Sequence, residues 1–318
     1  MPEPVNVVFV LATGVQLLDV AGPAQVFSTA SEVTDTSCEL RYVADTAIVA
    51  SHQGLPLQAE TDWPDLTVED LVLVPGWQTG PAARLPQPVS DALLVRIAHH
   101  HRRGGQVMSV CSGAFALAAA GLLDGRRATT HHALQDRLAE LYPRVRLVRD
   151  VLYVTDDRVH TSAGIASGID LALNHVCDRL GARVAARVAR AMVVYARRNG
   201  TQPQDSVILR HRDHLDNLVH QAQDVIDERY AEKLPLADLA NQLAVSERTL
   251  TRAFVRALGV TPLRYQQAIR RERAELLIGS GSTVEAAAWE VGFEDARMLR
   301  RLRSTHPAPV LSGAIYRQ

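Results

Sequence analysis

Residues 106–122, which read QVMSVCSGAFALAAAGL, decide the fold of the N-terminal part of the chain. The run 106–110 is apolar and of strand length, and residues 112–122 form a helical stretch rich in small residues. A short apolar run bounded by turn residues is typical of a buried strand, and small residues permit a sharp turn directly after it. We therefore expect a strand, an elbow at Cys111 and a helix.

Apolar runs of strand length alternate with helical stretches on both sides of this segment. Asp156, Asp157 and Arg158 predict the turn of a hairpin, and residues 166–180 predict an amphipathic helix that ends at Gly181. The predicted strands are residues 5–10, 71–74, 106–110, 151–155 and 159–162. Strands alternating with helices predict an α/β fold whose doubly wound, mostly parallel sheet carries helices on both faces.

The chain changes character near residue 199. A connecting helix predicted over residues 182–198 runs into the polar stretch 199–205, and every periodic segment beyond it is helical. The length of 318 residues fits two domains. We expect an α/β domain over residues 1–198, a linker over 199–212 and an all-α domain over 213–318.

Composition places the chain among ordinary globular proteins, with 47% hydrophobic and 22% charged residues. No apolar run approaches the roughly 20 residues that span a bilayer, and the N-terminus lacks the basic segment of a secretory signal. The three cysteines, Cys38, Cys111 and Cys177, are odd in number and lack metal-binding spacing. We therefore expect a cytoplasmic protein without a membrane partner, metal or cofactor.

Charge is distributed unevenly along the chain. From Arg229 onward there are 14 Lys+Arg against 9 Asp+Glu, whereas residues 1–228 contain 20 against 26. A basic segment attached to an acidic body is expected of a DNA-binding module joined to another domain. Charge alone would favour a helical interaction domain with a solvated basic face.

Two segments of the basic region share one local design. In the first, over residues 236–258, Ser246 is a good N-cap for a helix in which Leu250 and Phe254 face the core together. In the second, over residues 283–303, Gly292 permits a turn, and Glu294 or Asp295 can cap the helix that follows. Both segments predict helix-turn-helix motifs, and Pro262 introduces a long helix between them.

This region resembles the DNA-binding domain of AraC/XylS-family regulators over about its last 90 residues. The shared features are the capped helix at Ser246, the Gly-x-Thr-Pro sequence at 259–262, the Arg-to-Leu pattern at 270–277 and the Val-Gly-Phe turn at 291–293. The resemblance implies that two recognition helices enter successive major grooves of double-stranded DNA. The implied DNA contacts are Arg248, Thr251, Arg252, Arg297 and Arg301, to which we add the exposed Arg300. The chain departs from the family at residues 312–317, SGAIYR, where the family usually has a Ser-Pro element.

The N-terminal half resembles the class I glutamine amidotransferase-like, or ThiJ/PfpI-type, domain over most of residues 5–180. The segments that carry this resemblance are the elbow at Cys111, the run from Ala118 to His131, residues 161–170 and residues 18–23. It implies a flavodoxin-like sensing domain whose ligand pocket lies at the carboxyl edge of the sheet, where open α/β sheets bind ligands. We expect the pocket to be lined by Asp19, Pro75, Gly76, Trp77, Cys111, Ser112, His131, Gly164 and Ile165. Trp77 either stacks on the ligand or packs under a loop.

Cys111 leaves a catalytic alternative open. The resemblance to isonitrile hydratase-like members assigns Cys111 as a nucleophile and Asp19 as a catalytic acid, whereas a turn or helix-cap role is favoured for His131 and His132. We favour a non-enzymatic, homodimeric transcription regulator that responds to a small, nitrogenous metabolite; RNA polymerase is a further partner left open. The alternatives are a Cys111-dependent hydrolase or hydratase carrying a DNA-binding domain and, ranked last, a redox switch at Cys111.

Overall fold

The computed structural model describes residues 5–34, 37–78, 88–194, 200–204, 206–212, 214–279 and 281–305. Two compact units divide the chain, the first extending to Gln204 and the second beginning at Asp205. No helix among the described residues is long and apolar enough to cross a membrane. The predicted departure from the family at residues 312–317 lies outside the described residues.

The first unit contains ten strands and six helices among its described residues. The strands are β1 (Val5–Val10), β2 (Cys38–Val43), β3 (Ile48–Ala50), β4 (Pro56–Gln58), β5 (Leu71–Val74), β6 (Gln106–Val110), β7 (Arg127–Ala128), β8 (Arg146–Leu147), β9 (Tyr153–Asp156) and β10 (Val159–Ser162). The helices are α1 (Leu17–Glu32), α2 (Asp91–Arg102), α3 (Gly113–Ala119), α4 (Gln135–Leu141), α5 (Ser167–Leu180) and α6 (Ala182–Ala191).

Six strands form the main sheet in the order β2-β1-β5-β6-β10-β9, with only β9 antiparallel to its neighbour. Alternate residues of one strand point to opposite faces, so Val8 and Val10 join one apolar core while Val7 and Phe9 join the other. Helices α2, α3 and α4 contribute to the first core, and α1, α5 and α6 to the second. The predicted doubly wound, mostly parallel sheet is confirmed, as is the hairpin, in which Asp157 has a φ of 56°.

The predicted helix over residues 182–198 is wrong in its length. Helix α6 ends at Ala191, and Val193 adopts a left-handed φ of 56°. This turn lets the N–H of Val194 donate to the carbonyl of Ala189 at 2.8 Å while Val194 packs against the core. Consecutive β-branched residues are poor helix formers, so the chain leaves the helix where burial rewards a turn. Residues 195–199 lie outside the described part.

The second unit is helical throughout its described residues. Its helices are α7 (Val207–Arg210), α8 (Asn217–Glu228), α9 (Leu236–Gln242), α10 (Glu247–Leu258), α11 (Pro262–Gly279), α12 (Val284–Glu290) and α13 (Ala296–Thr305). Helix α7 falls within the segment predicted as a linker, and its Val207 is buried in the core that contains α8, α9 and α10. Helix α11 contributes Ile269 to that core and Ala274 to a second one shared with α12 and α13, so it joins two helix-turn-helix motifs.

Candidate functional site

The elbow after β6 holds Cys111 in a left-handed conformation with a φ of 56°. Such a backbone is strained for a residue with a side chain and persists only where the surroundings enforce it. The N–H of Cys111 donates to the carbonyl of Ser162 at 3.0 Å, and its carbonyl accepts the Thr130 hydroxyl at 2.7 Å. Both neighbours therefore fix the elbow, and the Cys111 residue is only 9% exposed.

Two glycines let other loops approach this elbow. A Cβ atom added at Gly164, whose φ is +95°, would lie 2.4 Å from the Cβ of Cys111. One added at Gly76 would lie 2.5 Å from Oδ2 of Asp19 and 2.7 Å from the Cβ of Cys111. The predicted residues Asp19, Gly76, Cys111 and Gly164 are thus brought together at the carboxyl edge of the sheet, and a side chain at either glycine would drive them apart.

Asp19 is a buried carboxylate with an incomplete set of hydrogen-bond partners. The residue is 0% exposed, and its Oδ2 accepts the N–H of Gly76 at 3.1 Å, but Oδ1 has no partner in the described structure. Burial raises the pKa of Asp19 to about 7, which the hydrogen bond from Gly76 only partly opposes. Near neutral pH this carboxyl therefore exchanges readily between its charged and its protonated form.

The Cys111 thiol is not activated in this environment. Burial, and secondly the charge of Asp19, raise the pKa of Cys111 well above its usual value. A nucleophilic cysteine requires the thiolate, which a positive neighbour or a solvated setting would favour. The described geometry holds a neutral thiol at physiological pH.

Ser112 and Trp77 connect the elbow to the loop after β5. The Ser112 hydroxyl accepts the N–H of Trp77 at 2.7 Å and donates to its carbonyl at 3.0 Å. Trp77 is 3% exposed, and its ring packs in the first core cluster. Its main chain, rather than the face of the indole, lies beside Ser112.

The remaining predicted pocket residues occupy different environments. Pro75 is buried, Gly164 is half-buried and Ile165 is 40% exposed, which makes Ile165 the most open of the predicted set. The Nδ1 of His131 accepts the N–H of Ala133 at 3.3 Å and caps a short 3-10 helix at His132–Leu134. Burial lowers the pKa of His131 to about 4, so the ring is neutral in the cap role that its sequence position favoured.

Sequence reasoning missed Gln204, which directly precedes the second unit in the chain. Its Nε2 donates to the carbonyls of Thr130 and Val151, both at 2.9 Å, and its N–H donates to Oδ1 of Asp150 at 2.9 Å. The Thr130 hydroxyl in turn donates to the carbonyl of Cys111, so Thr130 links Gln204 to the elbow. The partners lie 53 to 74 positions apart, and no local pattern could have indicated the contact.

The first helix-turn-helix motif, formed by α9 and α10, presents two arginines without partners. The Ser246 hydroxyl caps α10 by accepting the N–H of Thr249 at 3.1 Å, and Leu250 and Phe254 are buried as predicted. Arg248 and Arg252 are exposed, and neither forms an ion pair or side-chain hydrogen bond within the described chain. Thr251, half-buried, joins Arg252, Val255 and Arg256 along a shallow groove of this helix.

The second motif, α12 and α13, turns at Gly292. A Cβ atom there would lie 1.9 Å from the carbonyl oxygen of Ala231, so this position with a φ of +86° requires glycine. Asp295 caps the next helix, since its Oδ1 accepts the N–H of Arg297 at 2.7 Å. Arg297, Arg300 and Arg301 are exposed on α13, as predicted, and Arg300 is paired with Glu285.

Arg270, within the Arg-to-Leu pattern of α11, ties the two motifs to a common support. Its guanidinium donates to the carbonyls of Tyr230 at 2.6 Å, Glu232 at 2.7 Å and Gly292 at 2.7 Å. Three charge-assisted bonds to main-chain oxygens fix the turn of the second motif against the loop before α9. Sequence reasoning used the pattern as a family mark without assigning this positioning role.

Each of the two units matches a known protein family. Residues 5–177 match the DJ-1/PfpI family, and residues 239–306 match a family described as a helix-turn-helix domain. Both resemblances inferred from the sequence are confirmed.

Individual relatives agree with this division. An isonitrile hydratase from Pseudomonas putida is 36% identical over 173 residues, which is 54% of this chain and 71% of that protein. The HTH-type transcriptional regulator CdhR from Pseudomonas aeruginosa is 30% identical over 217 residues, which is 67% of this chain and 63% of the regulator. The match thus spans less than two thirds of that regulator's own length. A crystal structure of an AraC family transcriptional regulator from Pseudomonas putida has a TM-score of 0.51 at 22% identity, covering 59% of this chain and all of that one, which shows a shared fold.

Proposed function

The chain belongs to the DJ-1/PfpI family and carries a helix-turn-helix domain, and from this premise we propose that it is a sequence-specific, DNA-binding transcription regulator. The observation that carries the proposal is the pair of motifs on one supporting helix, each with exposed arginines on its second helix. Arginine forms bidentate hydrogen bonds with guanine and with phosphate, and a recognition helix places such residues in the major groove. The matched regulators support the same role.

The direct test is binding to the DNA upstream of the protein's own coding region, measured by fluorescence anisotropy at several salt concentrations. We expect selective, salt-dependent binding. Arg252→Ala should weaken it by about 5- to 150-fold, because the loss of one base contact costs about 1–3 kcal/mol. Arg187→Ala is the matched control, because Arg187 is an exposed helical arginine of the first unit. Equal binding by both variants would argue against a reading role for α10.

We propose further that the first unit senses a small, nitrogenous metabolite at the elbow. The unpartnered Oδ1 of buried Asp19 supports this, because an ammonium or amide nitrogen reaching it would supply the missing donor. Ligand binding at a DNA-binding protein acts by differential affinity for two conformations. A screen of amines and amino acids for changed operator affinity tests the step, with Asp19→Asn expected to abolish the response to a cationic ligand.

Gln204 offers a route from that site to the second unit. A ligand that displaces Thr130 would break the bond from Nε2 of Gln204, the residue directly before the second unit in the chain. Replacing Gln204 by Leu removes its side-chain donor at similar size. We expect this variant to bind operator DNA but to lose most of the change in affinity that an effector produces in the wild type.

The second candidate function is a Cys111-dependent hydratase, favoured by the similarity to isonitrile hydratase. The raised pKa of Cys111 weighs against it, since the thiol is neutral. Turnover of an isonitrile by the purified protein, lost in Cys111→Ala while DNA binding persists, would establish this activity beside regulation.

We also propose that the protein forms a homodimer through its α/β unit and acts in the cytoplasm. Two copies would read a repeated operator more tightly than one because linked sites raise the effective concentration. Light scattering of the full chain tests the dimer.

A further inference from the structure

The two recognition helices differ in how their arginines are partnered. On α10, Arg248 and Arg252 have no ion pair within the described chain, whereas Arg256, about one turn further along, lies 2.9 Å from Oδ2 of Asp216. On α13, Arg300 pairs with Glu285, and Nε of Arg303 lies 2.8 Å from Oε1 of Glu275.

These carboxylates come from the supporting helices rather than from α13. Glu285 lies on α12 and Glu275 on α11, so each fixes one side chain of the recognition helix from its own side. Arg300 and Glu285 remain 55% and 58% exposed. An exposed pair of this kind is weak, so a competing anion can displace the carboxylate.

DNA phosphate must compete with these carboxylates for the same guanidinium groups. A phosphate that approaches a paired Arg300 gains less than one that approaches a free arginine, and it meets the negative charge of Glu285 nearby. Arg248 and Arg252 of α10, which have no ion pair within the described chain, carry no such cost.

Resting on the proposed function, we infer that Glu285 is an internal competitor of DNA phosphate for Arg300. The pair thereby weakens the contact that Arg300 can make with DNA phosphate. Glu275 acts on Arg303 in the same way at the end of α13.

The test compares Glu285→Gln with Glu290→Gln. Both residues lie on α12 and both changes remove one negative charge, but Glu290 is exposed and has no ion pair among the described residues. The difference between the variants therefore reports the release of Arg300 rather than the net charge. Thermal unfolding followed by circular dichroism checks that both variants fold alike.

We expect Glu285→Gln to bind duplex DNA about two- to fivefold more tightly than Glu290→Gln, the range that a surface ion pair permits. The slope of log K against log salt should steepen by about 0.9, the counterions released by one further phosphate contact. Adding Arg300→Ala to Glu285→Gln should remove the gain. Equal affinities and slopes for the two single variants would overturn the inference.

Heparin, a polyanion without base sequence, separates this inference from the proposed function. If the wild type shows no selective DNA binding, the regulator proposal fails. The inference would still require Glu285→Gln to elute from heparin at higher salt than Glu290→Gln, and co-elution would refute it.

Discussion

Replacement of Asp19 by Asn should make the first unit more stable above neutral pH. Burial raises the pKa of Asp19 to about 7 in the folded protein, against a usual value of 3.8. The native state therefore binds more protons than the unfolded chain between about pH 4 and pH 7, so the free energy of unfolding falls as pH rises through this window. A shift of about three pKa units at 1.36 kcal/mol each gives about 4 kcal/mol.

Asparagine is close in shape to the protonated carboxyl and does not titrate. The two proteins should therefore have similar free energies of unfolding near pH 4. As the pH rises, the variant should become the more stable of the two, by up to about 4 kcal/mol at pH 8. Its amide oxygen can still accept the N–H of Gly76. The difference between the proteins should reach a plateau above about pH 8, where Asp19 is fully charged.

Urea unfolding at intervals from pH 4 to pH 8 measures this difference. Trp63 and Trp77 report on the first unit, and a Trp289→Phe background removes the tryptophan of the second. Burial also lowers the pKa of His160 to about 4 and that of His175 to about 3, so both histidines remove stability as pH falls below about 6.5. That contribution is common to both proteins and cancels in the difference.

Asp70→Asn provides a contrast of opposite sign. Asp70 is buried too, but one of its carboxylate oxygens accepts the N–H of Asn6 at 2.6 Å and the other accepts the N–H of Thr67 at 2.6 Å. An asparagine side chain has a single oxygen, so it can accept only one of these two bonds. This variant should be destabilised at pH 8. A pH-independent difference between wild type and Asp19→Asn, or a loss of stability at pH 8 in Asp19→Asn, would refute the argument for a neutral buried carboxyl.

Three smaller predictions concern packing, reactivity and capping. Gly164→Ala should lower the free energy of unfolding by about 1–3 kcal/mol more than Gly121→Ala in urea titrations, because both positions have a positive φ but only the first faces Cys111; equal losses would contradict this reading of the elbow. Cys111 should react with iodoacetamide far more slowly in the native protein than in urea, as measured by mass spectrometry, since its thiol is buried and neutral; equal rates would contradict it. Ser246→Ala should lower the stability of the second unit by about 1 kcal/mol, followed by Trp289 fluorescence, through loss of the cap on the N–H of Thr249; an unchanged midpoint would show that the cap is replaced.

The sequence predicted those elements whose causes are local. The strand β6 and the elbow follow from a short apolar run that precedes small residues. The continuous apolar runs of the strands predicted a sheet buried on both faces, and an apolar core lies on each face. Ser246 and Gly292 indicate the two motifs because each feature depends on one local residue. The helix cap needs the Ser246 hydroxyl, and the left-handed turn needs a glycine at position 292. The end of α6 was misplaced since Val194 leaves the helix for a core contact that helical periodicity does not contain.

The sequence was sufficient to predict that Asp19, Gly76 and Cys111 lie close together, but not their electrostatic state. Asp19, Gly76 and Cys111 meet because the carboxyl ends of neighbouring parallel strands meet, which the strand pattern implies. The charge of Asp19 depends on how many donors reach each of its oxygens, and its donor, Gly76, lies 57 positions away. The pairing of Arg300 with Glu285 likewise depends on how α12 and α13 cross.

The environment that brings Asp19 and Cys111 together also bears on the choice between catalysis and sensing. A nucleophilic thiol requires stabilisation of negative charge, yet here burial and the Asp19 carboxylate both oppose it and raise the pKa of Cys111. A binding site has the opposite need, because an unpartnered buried acceptor such as Oδ1 of Asp19 gains most when a ligand donor reaches it. A cationic ligand would stabilise the Asp19 carboxylate and lower its pKa, so the arrangement that opposes the Cys111 thiolate is also the one that favours recognition of a nitrogen donor.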